Sequence, residues 1–434
     1  MIEPVLVGVF CIILLVILLI AGLPIAFSMM AAGIVGIFII SGPSGYFWAI
    51  GQIGFTATWG IGMLAIPAFV FMGVLITEMA WGQDLYDLAY KWLGWLPGGL
   101  AVASTAMSAL FGFMCGSAAA GILTVGVLAV PEMEKRGYNR RLALGTLCLA
   151  GSLAVLIPPS ALMIIYAVQA ECSMGALFFA GIIPGILLAA VMSLYIIGRV
   201  IAKPSLAPKG PKARLCDKLR VLLKSGPLVL VGMSVLGSIY LGWASPIEAG
   251  TVGVFAVTLV SLAYQRATLT RLKSAIMRTT RICGMIYFIV IGGYIFSTLM
   301  YLSGFQELIQ QWMLALPLAP WVIIVISLLI LTVMGMFFDI ISIVVISAPI
   351  LVPIVTGLGY DVIWFGILMI MSCELALITP PVGFNLYIIH SIAPEGTKLM
   401  DVLLGAMPFV GLIWFVFGLL IVWPEIVLWL PSTM

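Results

Sequence analysis

The chain has 434 residues, of which 64% are hydrophobic and 8% charged, with a formal net charge of +3 and a mean hydropathy of +1.28. No soluble core can hide that much apolar surface, so composition excludes a soluble domain and selects an all-α polytopic membrane protein. One histidine, His390, excludes a multi-histidine metal site, and seven scattered cysteines without a CxxC pair read as small buried hydrophobes, not as a disulfide or zinc framework.

Roughly 20 apolar residues are needed to cross a bilayer. The first run, 5–23, lacks a basic leading segment and a small-residue cleavage site, and is expected to be a retained span rather than a signal peptide. Spans follow at 25–41 and 60–79, then a long region at 98–131, then spans at 142–166 and 175–198. Residues 203–224 are basic and rich in Pro and Gly. Their position after a span makes them a solvated cytoplasmic connector rather than a nucleic-acid element. The second half has spans at 227–242, 246–264 and 282–302, a long region at 320–353, and spans at 362–388 and 401–423. Stretches 84–95 and 306–316 set Trp, Tyr and Leu against Asp, Glu and Gln. They read as helices along the interface, either surface filler or a rigid brace.

Adding 222 to a position in the first half lands on its counterpart in the second. Pro24-Ile25 falls on Pro246-Ile247, Pro131 on Pro353, Gly137-Tyr138 on Gly359-Tyr360, and Pro158-Pro159 on Pro380-Pro381. One proline pair could align by chance; the series at one offset marks an internal duplication. The expected organisation is a first repeat at 1–202, the connector at 203–224, and a second repeat at 225–434.

Orientation follows from Lys and Arg. If each half makes five crossings plus one re-entrant hairpin, with the N-terminus outside, all 19 Lys and Arg fall on the cytoplasmic side. Both termini are then periplasmic. The loop 132–141 carries four basic residues and its counterpart 354–363 carries none, so the two repeats are expected to be inverted. Regions 98–131 and 320–353 are assigned as the hairpins because polar or small residues sit at their middles: Cys115 to Ala118 in one, Asp339 to Ser342 in the other. A charge at mid-membrane costs about 2.5–3.5 kcal/mol on insertion scales, so Asp339 is expected to face a wet or ion-bearing cavity.

The stretches LIPPSALMIIY (156–166) and LITPPVGFNLY (377–387) place a double proline inside each of two spans. Proline removes an amide donor and clashes with the preceding turn, so each helix must break. The freed backbone groups must then be satisfied by protein, water or a ligand. Breaks at matching places of two halves point to a transport site. The end of the first half-helix offers carbonyls suited to a sodium ion; the start of the second offers amides and a positive dipole end suited to a carboxylate. One expected ion site joins Gly116 and Ser117 to Gly151, Ser152, Pro158 and Ser160. The other joins Asp339 and Ser342 to Thr379, Pro380, Gly383 and Asn385. The solute carboxylate is expected against Ser117, Pro159, Ser160, Asp339, Val382, Gly383 and Asn385. With every Lys and Arg at a loop or span end, no fixed cation is expected deep in the membrane, so co-bound cations would supply the positive charge. Glu374 either lines the cavity or bonds locally, while Glu248 reads as a helix-start residue and His390 as structural.

The stretch CGSAAAGILTVGVLAVPEMEKRGYNRRLALGTLCLAGSLAVLIPPS (115–160) resembles the large membrane subunit of tripartite ATP-independent periplasmic (TRAP) transporters. So do SPIEAGTVG (245–253), GMFFDIISIVVISAPILVPI (335–354) and ELALITPPVGFNLY (374–387). The likeness extends over nearly the whole chain, with one departure. The first tip has a single Ser117 where many relatives carry two serines, which weakens the oxygen set at the first ion site. The resemblance implies a Na+-coupled secondary importer of organic acids such as dicarboxylates or sialic acid, in a bacterial inner membrane, working by an elevator motion. It implies two partners: a small four-helix membrane subunit, expected as a separate chain because no four-helix domain precedes Met1, and a periplasmic substrate-binding protein. The absence of a Walker A motif agrees with ion-driven transport. Alternatives are a stand-alone ion-coupled dicarboxylate or citrate carrier of the same architecture, an intramembrane hydrolase using Asp339 and Glu374, and a passive channel. The hydrolase lacks a second Asp motif or Ser/His pair, and the channel fits poorly with half-sites closed by hairpins.

Overall fold

The structure, a computed structural model, describes residues 3–116, 118–380 and 383–434, without the side chains of 44–50, 61, 115 and 118–120. Ser117 and Val382 therefore lie outside the described residues. The chain opens with α1 (Pro4–Ile20) and α2 (Ile25–Trp59), the latter bent at Gly42 ahead of Pro43. It continues through α3 (Ala65–Glu78) and α4 (Gly82–Leu93) to a first hairpin of α5 (Gly99–Cys115) and α6 (Ala118–Lys135). Next come α7 (Arg140–Ala150), the single turn α8 (Leu153–Leu156), α9 (Ala161–Gln169) and the long α10 (Met174–Ala202). The second half begins with α11 (Leu215–Tyr240), α12 (Pro246–Ala263), α13 (Leu269–Leu302) and α14 (Phe305–Ala315). A second hairpin, α15 (Pro320–Gly335) and α16 (Ile340–Gly357), leads to α17 (Val362–Ile378) and α18 (Phe384–Ile392). The chain closes with α19 (Leu399–Val422) and the short α20 (Glu425–Leu428).

Seven of the described helices are long and apolar enough to cross a membrane, or nine if each bent pair is one span. Helices α9 and α18 have nine residues each. At 1.5 Å per residue that is about 14 Å, half of a hydrocarbon core of about 30 Å. The hairpin arms α5 and α15, of 17 and 16 residues, reach about 25 Å and fall short of a crossing. Each arm folds back on its partner: Gly335 packs beside Ile343, and Phe111 beside Gly121.

Helix boundaries keep the spacing of 222. Helix α6 shifted by that amount is α16, and α7 with α8 becomes α17. The local causes repeat too. Gly137 and Gly359 adopt φ of 72° and 82°, the left-handed conformation that ends a helix at low cost to glycine. Two residues later Asn139 and Asp361 cap the next helix, accepting from Leu142 N–H at 3.2 Å and Ile363 N–H at 2.7 Å.

Helices α7 and α17 are the innermost: every residue from Leu142 to Ala150 and from Trp364 to Ile378 is buried. Apart from Thr146, Ser372 and Glu374, these stretches are apolar on all sides because they are covered on all sides. A methyl at Gly145 of α7 would run into the Gly405 carbonyl of α19, and one at Gly405 into the Arg141 carbonyl. Small residues let these two helices touch backbone to backbone. At the periphery, Val252, Phe255, Leu259 and Leu262 of α12 are exposed along one face, the surface lipid would cover.

One boundary needs correction, and one open alternative is resolved helix by helix. The connector is shorter than 203–224, because α11 begins at Leu215, and its remainder is not free chain: Leu206 is buried and its carbonyl accepts the Asn139 amide at 2.8 Å. Nor are the two amphipathic stretches equivalent. Helix α14 buries only Met313, whereas α4 is packed into the protein. Asp84 of α4, 3% exposed, pairs with Lys224 at 2.7 Å and with Arg266. Arg266 also lies over the Trp81 ring, whose indole N–H donates to Ser261 at 2.9 Å. The knot ties α4 to α11 and α12.

Candidate functional site

The first double proline separates α8 from α9, and the chain bends by 45° there. Pro158, Pro159 and Ser160 are buried. Ser160 is the N-cap residue of α9, yet its side chain makes no capping bond and its hydroxyl has no hydrogen-bond partner. The first-turn amides of α9 are thus not used by a side-chain cap, leaving a positive helix end open to an anion. At the second break, Gly383 (φ 51°) is the N-cap of α18 and has no side chain to cap with. Thr379 ends α17 with its hydroxyl turned back to Leu375 O at 2.5 Å, and Pro380 is half-buried.

Both hairpins end at these breaks. Gly116 closes α5 in the left-handed conformation (φ 60°) directly against Pro159: an added methyl would strike the Pro159 carbonyl oxygen. Behind it, Gly112 faces Ala154, and Gly151 lies under Ile122 of α6. On the other side, Gly335 faces Ala376. Asp339 caps α16, accepting from Ile341 N–H at 3.0 Å and Ser342 N–H at 3.4 Å. The halves also interlock: α6 packs on α18, and α16 on α9.

One cavity of about 250 Å³ joins these parts. Its walls include Gly116 and Asp339–Ile341 from the hairpin tips, Val155, Ala161 and Leu162 from the first break, and Leu377, Phe384 and Asn385 from the second. Opposite stand Val70, Val74 and Thr77 of α3, and Arg278, Ile282, Met285 and Ile286 of α13. Asp339 is exposed to this space.

The expected grouping changes in one respect. Asn385, assigned by sequence to the second ion site, donates to Ser152 Oγ of the first at 3.0 Å and to Cys148 O of α7 at 3.3 Å. The reason is the crossing of the halves, which carries the start of α18 to α7. Gly151 and Ser152 spend their carbonyls on the α7–α8 turn, accepting from Ala154 and Val155 at 3.3 and 2.8 Å. The buried oxygens without a hydrogen-bond partner among the described residues include Ser160 Oγ, Ser342 Oγ, Asn385 Oδ1 and both Glu374 carboxyl oxygens. Buried polar atoms are normally satisfied, so their concentration at the breaks is a chemical signal: hard oxygens of the kind a sodium ion takes. Glu374 is fully buried beside the Leu156 backbone amide, away from the cavity lining. Glu248 completes a capping box with Ser245, and His390 bonds to Thr397 O at 3.1 Å.

Every Lys and Arg was expected at a loop or span end, and one of these span-end cations reaches the cavity. Arg278 forms part of the cavity wall and pairs with Glu78 of α3 at 3.1 Å. Residues 266–281 precede the expected span at 282–302, but α13 is already helical from Leu269. The overlooked signal was periodicity: Arg278, Ile282, Met285 and Ile286 stand at i, i+4, i+7 and i+8, one helix face. Nothing in the sequence pairs Glu78 with it, 200 residues away.

Residues 12–426 match the family described as "Tripartite ATP-independent periplasmic transporter, DctM component". The chain is 32% identical over 374 residues to the C4-dicarboxylate TRAP transporter large permease protein DctM of Pseudomonas aeruginosa, covering 85% of this chain and 86% of that protein. It is 30% identical over 397 residues to the isethionate TRAP transporter permease protein DctMQ of Oleidesulfovibrio alaskensis, covering 90% of this chain and 60% of that one. Among solved structures, the YdaH transporter of Alcanivorax borkumensis superposes with a TM-score of 0.69 at 13% identity, covering 98% of each chain. That is a likeness of fold.

Proposed function

The chain belongs to the tripartite ATP-independent periplasmic transporter family as its DctM component, the large permease subunit, and we propose that it is the sodium-coupled, solute-carrying part of an organic-acid importer in a bacterial inner membrane. The observation that carries this reading is the single cavity on which both hairpin tips and both broken helices meet. In this reading sodium ions are held by oxygens around Ser160, Ser342 and Asn385, buried and without hydrogen-bond partners. The solute carboxylate lies against the uncapped starts of α9 and α18. Each bound sodium ion offsets charge on Asp339 and the solute, which couples entry of the anion to entry of the cation. The hairpins and broken helices move together as an elevator past α3 and α13, whose facing residues Val70, Val74, Ile282 and Ile286 form an apolar wall without directional bonds to break. A periplasmic binding protein delivers the solute, and a small membrane subunit completes the carrier; the fused DctMQ relative supports the latter.

The test is uptake of labelled succinate and N-acetylneuraminate into liposomes holding the reconstituted complex. Uptake is expected to need both a sodium gradient and the binding protein, and to be lost in Asp339→Asn. Undiminished uptake with potassium in place of sodium, and no proton gradient, would sink the coupling. Equal uptake without the binding protein would favour a self-sufficient carrier.

A further inference from the structure

Arg278 belongs to two spaces at once. It lines the central cavity and also a basin of about 470 Å³ at the basic end of the molecule. The basin is bounded by Thr270, Lys273, Ser274, Met277, Arg278 and Arg281. These residues recur every three or four positions and make one stripe along the first turns of α13. One turn deeper, Ile282 on α13 and Val74 on α3 line the cavity proper. The pair Arg278–Glu78 therefore stands at the mouth between an apolar cavity and a basic surface.

The pair is built to exchange. Its Nη1–Oε1 distance is 3.1 Å, and the two side chains are 42% and 20% exposed. Partly hydrated ion pairs of this kind add little to stability, so exchanging one for another costs little. A carboxylate arriving from the cavity can replace Glu78 on Arg278 with one guanidinium–carboxylate pair formed for each one broken.

We propose that Arg278, held in place by Glu78, is an anion-selective gate at the basic mouth of the cavity. It receives the carboxylate of the departing solute and hands it to Arg281 and Lys273. Removing Glu78 frees Arg278 and strengthens the attraction; removing Arg278 leaves Glu78 to repel anions. The proposal rests on the carboxylate reading above, but its test needs neither transport nor sodium.

The test uses Val74→Cys in the purified full-length protein, with thiol modification at residue 74 followed by peptide mass spectrometry. The probes are a sulfonate-bearing and a trimethylammonium-bearing methanethiosulfonate, each rate normalised to that of a free thiol. The negative reagent is expected to be favoured about tenfold, the lower end of electrostatic focusing in clefts. Arg278→Gln should abolish or invert the preference, Glu78→Gln should increase it, and Arg278→Lys should retain it. An unchanged ratio in Arg278→Gln, or no labelling of residue 74 by either reagent, overturns the gate. Those results leave the sodium-coupled reading intact, because that reading is decided by uptake.

Discussion

A methyl group at Gly116 has nowhere to go. The residue combines a φ of 60° with a backbone already touching Pro159. The left-handed conformation alone costs an L-residue about 1–2 kcal/mol, and the obstruction is backbone, which cannot rotate away. Gly116→Ala is therefore expected to separate the first hairpin from the first break while leaving membrane insertion intact. Initial uptake rates in reconstituted liposomes should fall about tenfold or more, the equivalent of about 1.4 kcal/mol. Sodium-induced thermal stabilisation should shrink in parallel. Uptake unchanged from the parent would mean that the Gly116–Pro159 contact is packing alone. Gly116 and the prolines were legible in sequence because each breaks a local rule. The partners of Asn385 and Arg278 were not, since tertiary crossing sets them: 233 residues separate Asn385 from Ser152, and 200 separate Arg278 from Glu78.

Between elements, the common spacing of 222 conceals an asymmetry. Helices α4 and α14 occupy equivalent places, and the offset of 222 carries Asp84 onto Gln306. Asp84 is locked between Lys224 and Arg266, whereas Gln306 makes a single bond to Pro349 O at 2.5 Å from an otherwise exposed helix. Asp84 is the buried member, while Lys224 and Arg266 are 53% and 19% exposed, so losing its charge chiefly costs the charge-assisted bond to Arg266, about 1.5–3 kcal/mol. Asp84→Asn is thus expected to lower the thermal unfolding temperature of the detergent-solubilised protein markedly. Trp312→Ala on α14, 64% exposed, should change it little. Equal shifts in the two variants would remove the distinction between brace and surface helix. Amphipathicity in sequence identified both helices, but it could not say which face meets protein and which meets lipid. That depends on whether a neighbour such as α11 supplies a cation.

For the molecule as a whole, the arrangement we favour is two repeats of opposite orientation. The reasoning is topological. An odd number of crossings in the first repeat returns the chain to the membrane on the other side, so every loop of the second repeat faces opposite its counterpart. The backbone supports equivalence of the loops: 134–137 and 356–359 close with the same glycine turn, Gly137 N–H on Glu134 O at 2.9 Å and Gly359 N–H on Thr356 O at 3.0 Å. Their charges differ as the positive-inside rule requires of loops on opposite sides, four basic residues in 132–141 against none in 354–363. Glu134 and Thr356 are both exposed and are related by the offset itself. Glu134→Cys and Thr356→Cys, placed in intact cells and in inverted vesicles, are expected to react with a membrane-impermeant maleimide from opposite sides: residue 134 only in inverted vesicles, residue 356 only in cells. Reaction of both from one side would make the repeats parallel. It would also place the two hairpins in the same leaflet, so they could not meet the proline breaks from opposite faces, and the elevator proposal would lose its geometry.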